Sequence, residues 1–171
     1  DENISAELIE WIVERARQGR LALVGSGTAL IDTTYIDNAT DALVAAVDRV
    51  GDRSHGLGGR AFVVSNGEPR TVAELVTRIV TAAGIDLSPR RVPFRIAKVA
   101  GSAIERVWEH LGRLDDPPMT SFLAEQLATA HWFDQRDTRD ALGWAPAVSL
   151  AEGFERLADW FSHAGAADPP R

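Results

Sequence analysis

Apolar residues recur along the chain at the three- and four-residue spacing of amphipathic helices. This pattern predicts helices over residues 4–18, 37–50, 71–83, 94–111, 120–129, 137–143 and 149–161. Two of these helices begin at capping boxes, Thr71-x-x-Glu74 and Ser149-x-x-Glu152, in which a hydroxyl accepts a hydrogen bond from an otherwise free backbone N–H. The capping residues therefore predict where two of the helices begin, in addition to the apolar periodicity that predicts their extent.

Short apolar runs between the helices predict strands. Leu21–Val24 is one run, and Ala29–Thr34 is a second extended segment. Ala61–Ser65 is apolar along almost its whole length, which is typical of a parallel strand buried on both faces. Strands alternate with helices up to about residue 85, and a mostly helical remainder follows, so the sequence predicts an α/β fold. One buried strand with one flanking helix is an incomplete layer that needs a partner to cover it.

The composition narrows the classes of function. The chain has 171 residues, a net charge of −7 and no cysteine. The negative charge argues against nucleic acid and anionic membrane surfaces as partners, and the absence of cysteine excludes disulfides and a thiolate nucleophile. No apolar run approaches the roughly 20 residues of a membrane span, and the acidic N-terminus does not have the pattern of a signal peptide. We expect a cytoplasmic protein whose native start lies upstream of Asp1 or was removed.

Several short motifs together resemble the extended short-chain dehydrogenases, which form the epimerase/dehydratase superfamily. The matching pieces are Gly25-x-Gly27, Asp32-Thr-Thr-Tyr-Ile-Asp37-Asn38, Gly59-Arg-Ala-Phe62 to Asn66-Gly-Glu-Pro69, Pro117-Pro-Met-Thr120, His131-Trp-Phe-Asp134 and Leu142-Gly-Trp144 to Glu152-Gly153. Each piece alone is weak, but their order and distances agree with the family from about Asp1 to Phe161. The resemblance is to the C-terminal portion of these enzymes, in the branch of the 3β-hydroxysteroid dehydrogenases and 3-oxo acid reductases.

The resemblance implies a partial NAD(P)-binding Rossmann fold. Residues 36–65 would be its last strand and flanking helix, the remainder of 1–163 a smaller, mostly helical substrate-binding portion, and 164–171 a flexible tail. The family binds its cofactor at a Gly-x-x-Gly-x-x-Gly turn and transfers a proton with Tyr-x-x-x-Lys. Neither motif is present in this sequence. No run of glycines has the Gly-x-x-Gly-x-x-Gly spacing, and the single tyrosine, Tyr35, is far from the single lysine, Lys98. The family's Rossmann half, about 150 residues that would lie upstream, would supply both.

The expected activity follows from that resemblance. The parent enzyme would use NAD or NADP to interconvert a secondary alcohol and a ketone, while this chain alone would hold neither the cofactor nor a catalytic residue. Relatives that act on nucleotide sugars often carry an arginine where this chain has Ile31. A small-molecule substrate with a hydroxyl or ketone on an apolar body, such as a steroid or a long-chain 3-oxo acid, is therefore favoured. A nucleotide-sugar epimerase or dehydratase, with Arg91 as a substitute phosphate clamp, is one alternative. A non-catalytic binding module is the other, and we expect a homo-oligomer.

Candidate substrate-binding residues lie in two of the matching segments. Thr33 and Thr34 lie in the extended segment Ala29–Thr34 and Tyr35 comes directly after it, so alternation of side chains turns one or two of the three towards a substrate cleft. Met119 and Thr120 follow a double proline and would form part of an apolar pocket wall, with core packing as the alternative.

Several other residues could have functional roles, but structural roles explain them more simply. Asp32 and Asp37 could form an acid–base pair, but a helix cap at Asp37 or Asn38 explains the same residues. His131 with nearby aspartates could suggest a metal site, yet the family uses no metal, so none is predicted. The tryptophans, Trp132 among them, are most simply core aromatics.

Overall fold

The computed structural model describes residues 4–51, 56–97, 99, 110 and 129–167. In chain order the elements are α1 (Ile4–Arg17), β1 (Ala22–Val24), β2 (Leu30–Ile31), α2 (Ile36–Gly51), β3 (Arg70–Thr71), α3 (Val72–Ala82), β4 (Arg90–Val92), α4 (Arg136–Leu142) and α5 (Leu150–Ala167). Residues 94–97 are also helical. The described residues form an α/β fold, as the sequence predicts. No helix among them is long and apolar enough to span a bilayer.

The chain divides into two compact units. Unit 1 comprises residues 1–30 and 71–130, and unit 2 comprises residues 31–70 and 131–171. The chain leaves unit 1 within β2 and returns to it within β3, and these two short strands pair with each other.

Unit 1 packs α1 and α3 together and places a two-stranded parallel sheet beside residues 94–97. In the sheet β1 pairs with β4, with Leu23 opposite Arg91. Buried apolar side chains form two clusters, Ile12, Ala16, Leu21 and Val80 in one and Val24 and Ala97 in the other. The capping box at the start of α3 is confirmed, because the Thr71 hydroxyl accepts a hydrogen bond from the Glu74 N–H at 3.2 Å. The strand at β4 was not predicted, since its arginine pair is polar and only its partner β1 carries an apolar run.

Unit 2 is built from α2, α4 and α5 around an extended segment. Its buried apolar cluster consists of Ala42, Leu57, Leu142 and Trp144. The second capping box is confirmed as well, since the Ser149 hydroxyl accepts a hydrogen bond from the Glu152 N–H at 3.2 Å. The helix that this box opens continues past residue 163 to Ala167.

The predicted strand over Ala61–Ser65 is wrong. The segment is extended, but it belongs to no strand ladder among the described residues. Side chains replace strand neighbours: the Thr34 hydroxyl donates to the Val64 carbonyl at 3.0 Å, and the Thr138 hydroxyl donates to the Val63 carbonyl at 2.9 Å. Val63 is 45% exposed, so the segment is covered on one face only, where the apolar run predicts cover on both.

Helix α2 has two apolar faces where a single buried face is predicted. Ala42 points into the core of unit 2 and is 1% exposed. On a neighbouring side of the helix an apolar stripe is exposed to solvent, with Leu43 and Val47 at 69% and 72% exposure. We call this surface the α2 apolar face, and its residues are Ile36, Leu43, Val44, Val47 and Val50.

Candidate functional site

The predicted substrate-binding residues of unit 2 lie between β2 and α2, and the structure assigns them different roles. The Thr34 side chain is exposed and hydrogen-bonded to the segment beside it. The Tyr35 ring packs against Gly153 of α5, where a Cβ would come within 2.9 Å of the ring. Arg156 lies over the same ring, 5.4 Å from its centroid. Thr33 is different, since its hydroxyl oxygen is buried and has no hydrogen-bond partner among the described residues.

Thr33, Thr34 and Tyr35 therefore do not share one cleft surface, and their substrate-binding role stays a prediction. Met119 and Thr120 lie outside the described residues.

Two buried asparagines join the predicted site segment to the loop before α5. Asn38 is fully buried, and Asn66 is 2% exposed. The Asn38 amide donates to the Asn66 Oδ1 at 3.0 Å and to the Val148 carbonyl at 2.7 Å. Its Oδ1 accepts from the Ala147 and Val148 N–H groups at 2.9 Å and 3.0 Å. We call these two side chains and the backbone of residues 147–148 the asparagine hub.

The hub also fixes the backbone at the start of α2. Asn66 Oδ1 accepts from the Tyr35 N–H at 2.9 Å, and its amide donates to the Val148 carbonyl at 3.0 Å. The prediction that Asp37 or Asn38 caps α2 is wrong, because α2 begins at Ile36 and both residues lie inside it. Asp37 instead pairs with Arg156 at 2.9 Å. Asn38 lies in a motif that matches the family, but its helical position gives no sign that its side chain is buried against residues 147–148, so this role was not predicted.

Asp32 is held by structural hydrogen bonds and does not form an acid–base pair with Asp37. The Ser65 hydroxyl donates to Asp32 Oδ2 at 2.7 Å, and the Glu68 N–H donates to Oδ1 at 3.1 Å. The Glu68 carboxylate in turn accepts from the Leu150 N–H at 2.9 Å, which satisfies a free donor at the start of α5. The Asp32 and Glu68 carboxylates therefore connect neighbouring segments of the chain.

An open cavity of about 460 Å³ lies in unit 2 beside Asp32. Its lining residues are Asp32, Gly67, Pro69, Trp132, Phe133, Asp134, Gln135, Arg136 and Arg139. Trp132 is 55% exposed at this cavity, so its predicted place in the core is wrong. Sequence reasoning also missed Gln135 and Arg139, whose types and spacing match no motif.

Asp134 and Arg136 form a tight local pair at the cavity. The Arg136 Nε donates to both carboxylate oxygens, at 3.0 Å and 2.9 Å, and its backbone N–H donates at 3.0 Å. The side-chain hydrogen bond to Arg136 is the main cause that holds the pKa of Asp134 at about 2, below its ordinary 3.8.

We expect Arg136→Gln to raise the pKa of Asp134 from about 2 towards 3.8. A depressed pKa means that the folded protein favours the ionised carboxylate. The stabilisation from this pair is therefore complete above pH 3.8 and is lost as the pH falls through about 2. A carboxyl ¹³C titration by NMR measures both pKa values, and an unchanged pKa in the variant would show that Arg136 is not the cause.

The Gly25–Gly27 turn does not have the geometry of a dinucleotide-binding turn. A dinucleotide pyrophosphate is bound where a glycine turn leads from a strand into a helix. Gly25 and Gly27 follow β1 with φ of 69° each, but no helix begins before Ile36. Gly27 instead allows α3 to approach closely, because a Cβ there would lie 3.0 Å from the Ala73 Cβ. The turn therefore serves packing within unit 1.

Comparisons with known proteins identify relatives of this chain. It is 42% identical over 151 residues to the 2-alkyl-3-oxoalkanoate reductase of Stenotrophomonas maltophilia. The matched region covers 88% of this chain and 46% of the reductase. It is 30% identical over 162 residues to the 3β-hydroxysteroid-dehydrogenase/decarboxylase isoform 2 of Arabidopsis thaliana, covering 91% of the chain and 29% of the relative. No protein-family model matches the chain.

A solved structure agrees on the fold. The UDP-glucuronic acid 4-epimerase of Bacillus cereus in complex with NAD superposes with a TM-score of 0.56 at 16% identity, covering 91% of this chain and 39% of the epimerase. The chain spans less than half the length of the curated relatives it matches. This fits the C-terminal portion that the motifs predict. The chain is therefore similar to part of a 2-alkyl-3-oxoalkanoate reductase and to part of a 3β-hydroxysteroid-dehydrogenase/decarboxylase, and it shares its fold with part of the epimerase.

Proposed function

We propose that this chain is the substrate-side portion of an NAD(P)-dependent oxidoreductase. The enzyme would interconvert a secondary alcohol and a ketone on an apolar substrate of the 3-oxo acid or 3β-hydroxysteroid type. The observation that carries this proposal is the 42% identity to a 2-alkyl-3-oxoalkanoate reductase across 88% of the chain. A cytoplasmic location belongs to the same proposal.

The side chain at position 31 supports an apolar substrate over a nucleotide sugar. Relatives that act on nucleotide sugars often place an arginine there, and a guanidinium binds a diphosphate by charge-assisted hydrogen bonds. Ile31 is aliphatic and half-buried in β2, where it bridges to His131. Arg91, the suggested substitute, lies exposed in β4 of unit 1. The epimerase alternative therefore gains no support from these two residues.

The α2 apolar face supports a second portion that carries the cofactor. Leu43, Val47 and Val50 recur at helical spacing and are all more than half exposed, although Leu and Val are residues that proteins bury. A contiguous exposed apolar surface is typical of a protein interface. We infer that this face packs against a cofactor-binding Rossmann half.

A chimera tests the proposal directly. The N-terminal half of the Stenotrophomonas maltophilia reductase would be joined to this chain and assayed with NADH, NADPH and a 2-alkyl-3-oxo acid. We expect the chimera to oxidise one of the two cofactors when the keto acid is present. The chain alone should give no turnover, because it contains no Tyr-x-x-x-Lys.

The control is the same chimera with the tyrosine of the family's Tyr-x-x-x-Lys pair replaced by phenylalanine, which should be inactive. Turnover of a UDP-sugar in place of the keto acid would transfer the proposal to the epimerase alternative. A folded chimera that acts on neither substrate would favour a binding module, and so would a native protein with an intact mass near 18.5 kDa.

A further inference from the structure

Asn66 is followed by Gly67, and this pair lies at the asparagine hub. An asparagine side chain loses ammonia spontaneously when the backbone nitrogen of the next residue attacks its amide carbon, and a following glycine hinders that attack least because it has no Cβ. The chain has three asparagines, and the other two, Asn3 and Asn38, precede isoleucine and alanine. We propose that Asn66 is a site of spontaneous deamidation, that the closed hub protects it, and that its modification opposes renewed closing of the hub.

The reaction needs only water as a co-reactant. The Gly67 nitrogen loses its proton and forms a bond to the Asn66 Cγ, the Cγ–Nδ2 bond breaks, and Nδ2 leaves with a proton as ammonia. The product of this step is a succinimide ring. Water then adds to either carbonyl carbon of the ring and opens it, which leaves aspartate or isoaspartate at position 66. Neither step oxidises or reduces the chain, so no cofactor is required.

The closed hub opposes this reaction. The Asn66 side chain is almost completely buried, its Oδ1 accepts from the Tyr35 N–H and the Asn38 amide, and its Nδ2 donates to the Val148 carbonyl. These hydrogen bonds hold a planar amide, whereas the attack makes Cγ tetrahedral and the departure of ammonia removes the donor. Deamidation therefore requires the hub to open, and its rate follows the open fraction of unit 2.

Neither product fits the closed hub. In aspartate an oxygen replaces Nδ2 and faces the Val148 carbonyl, so two acceptors meet at the 3.0 Å where a hydrogen bond had been. Burial of the carboxylate without a donor on that side adds a further cost. Isoaspartate adds a methylene group to the backbone just before Gly67, where a Cβ alone would already overlap the Arg139 Nη2. Either product therefore favours the open state of unit 2.

The rate of deamidation is measured on the purified full chain across a urea series. Mass spectrometry of peptides locates each modified asparagine, and hydrogen exchange of the Tyr35 N–H, which donates to Asn66, measures the open fraction under the same conditions. In unfolding urea we expect Asn66 to react at least about tenfold faster than Asn3 or Asn38. Below the unfolding transition its rate should fall by the same factor as the exchange of the Tyr35 N–H, by about a hundredfold or more.

Two variants change the deamidation rate for different reasons. Gly67→Ala places a Cβ beside the attacking nitrogen and should slow the reaction in unfolding urea, where the native contact with Arg139 is absent, by about tenfold. Asn38→Ala opens the hub and should speed the reaction at low urea by about a hundredfold. Asp41→Ala, an exposed change in the same helix, should leave the rate within about threefold of the parent chain. If Asn38→Ala does not fold, the urea series on the parent chain decides alone.

Asn66→Asp reproduces one of the products and tests its consequence. Exchange of the Tyr35 and Val148 N–H groups should be at least about tenfold faster in this variant than in the parent chain. Gln18→Glu makes the same change of an amide to a carboxylate at an exposed position of unit 1 and should leave this exchange unchanged. Equal reaction of all asparagines in urea, a rate that does not follow Tyr35 exchange, or parent-like exchange in Asn66→Asp would overturn the proposal. None of these results bears on the chimera, whose turnover tests the proposed function separately.

Discussion

Replacement of Asn38 by alanine is expected to lower the free energy of unfolding of unit 2 by about 3 to 5 kcal/mol. The side chain is fully buried and makes four hydrogen bonds within the asparagine hub, to Asn66, Ala147 and Val148. Val148 lies 110 residues further along the chain. The variant leaves the Ala147 and Val148 N–H groups without an acceptor in a place that water does not reach. Each orphaned donor costs about 1 to 3 kcal/mol, and the vacated volume adds to this.

Amide hydrogen exchange locates the effect as well as measuring it. Exchange at Ala147, Val148 and Tyr35 should accelerate by about a hundredfold or more, since each 1.4 kcal/mol corresponds to a factor of ten. Asp41→Ala, an exposed change in the same helix, should alter stability by less than about 0.5 kcal/mol.

Asn66→Ala combined with Asn38→Ala provides a further check on the hub. The two side chains share a hydrogen bond of 3.0 Å. The double variant should therefore lose less free energy of unfolding than the two single variants lose in sum. Strictly additive effects, or unchanged exchange at residues 147–148, would mean that the two asparagines do not act as one network.

Local chemistry made parts of this fold predictable from the sequence. Both capping boxes form as expected, because the hydroxyl of Thr71 or Ser149 and the N–H it binds are only three residues apart. The helices α1, α2 and α3 follow the apolar periodicity within a few residues at each end. The family resemblance rests on the order of short motifs, and the 42% identity to a relative confirms it.

Features that depend on distant residues were not predictable. The apolar run Ala61–Ser65 has the composition of a buried strand, but a strand also needs a neighbour, and the described residues supply side chains of Thr34, Gln135 and Thr138 instead. The hub joins Asn38 to Asn66 across 28 residues, and no periodicity reports such a pair. The same limit applies to the cavity, because Gly67 and Arg139 meet only in the folded chain.

The predicted self-association of the chain is better explained by the α2 apolar face than by the segment Ala61–Ser65. Unpaired edges of a strand at Ala61–Ser65 cannot drive it, because that strand is not formed. The α2 apolar face is the stronger candidate, since exposed Leu and Val side chains gain about 1.5 to 3 kcal/mol each when they are fully buried. We expect the isolated chain to self-associate in sedimentation velocity experiments and the double variant Leu43→Gln, Val47→Gln to sediment as a monomer.

The same double variant should weaken the docking of the cofactor half by about a hundredfold to ten-thousandfold. Both side chains are already exposed in this chain, so the variant should leave the stability of unit 2 within about 0.5 kcal/mol of the parent. Calorimetric titration of the separately expressed N-terminal half of the Stenotrophomonas maltophilia reductase into the chain measures the affinity. The matched control is Leu8→Gln with Val99→Gln, which makes the same two changes at exposed positions of unit 1. Equal affinities for the parent chain and the α2 variant would show that this face is not the docking surface, because the loss of two apolar side chains from an interface must lower its affinity.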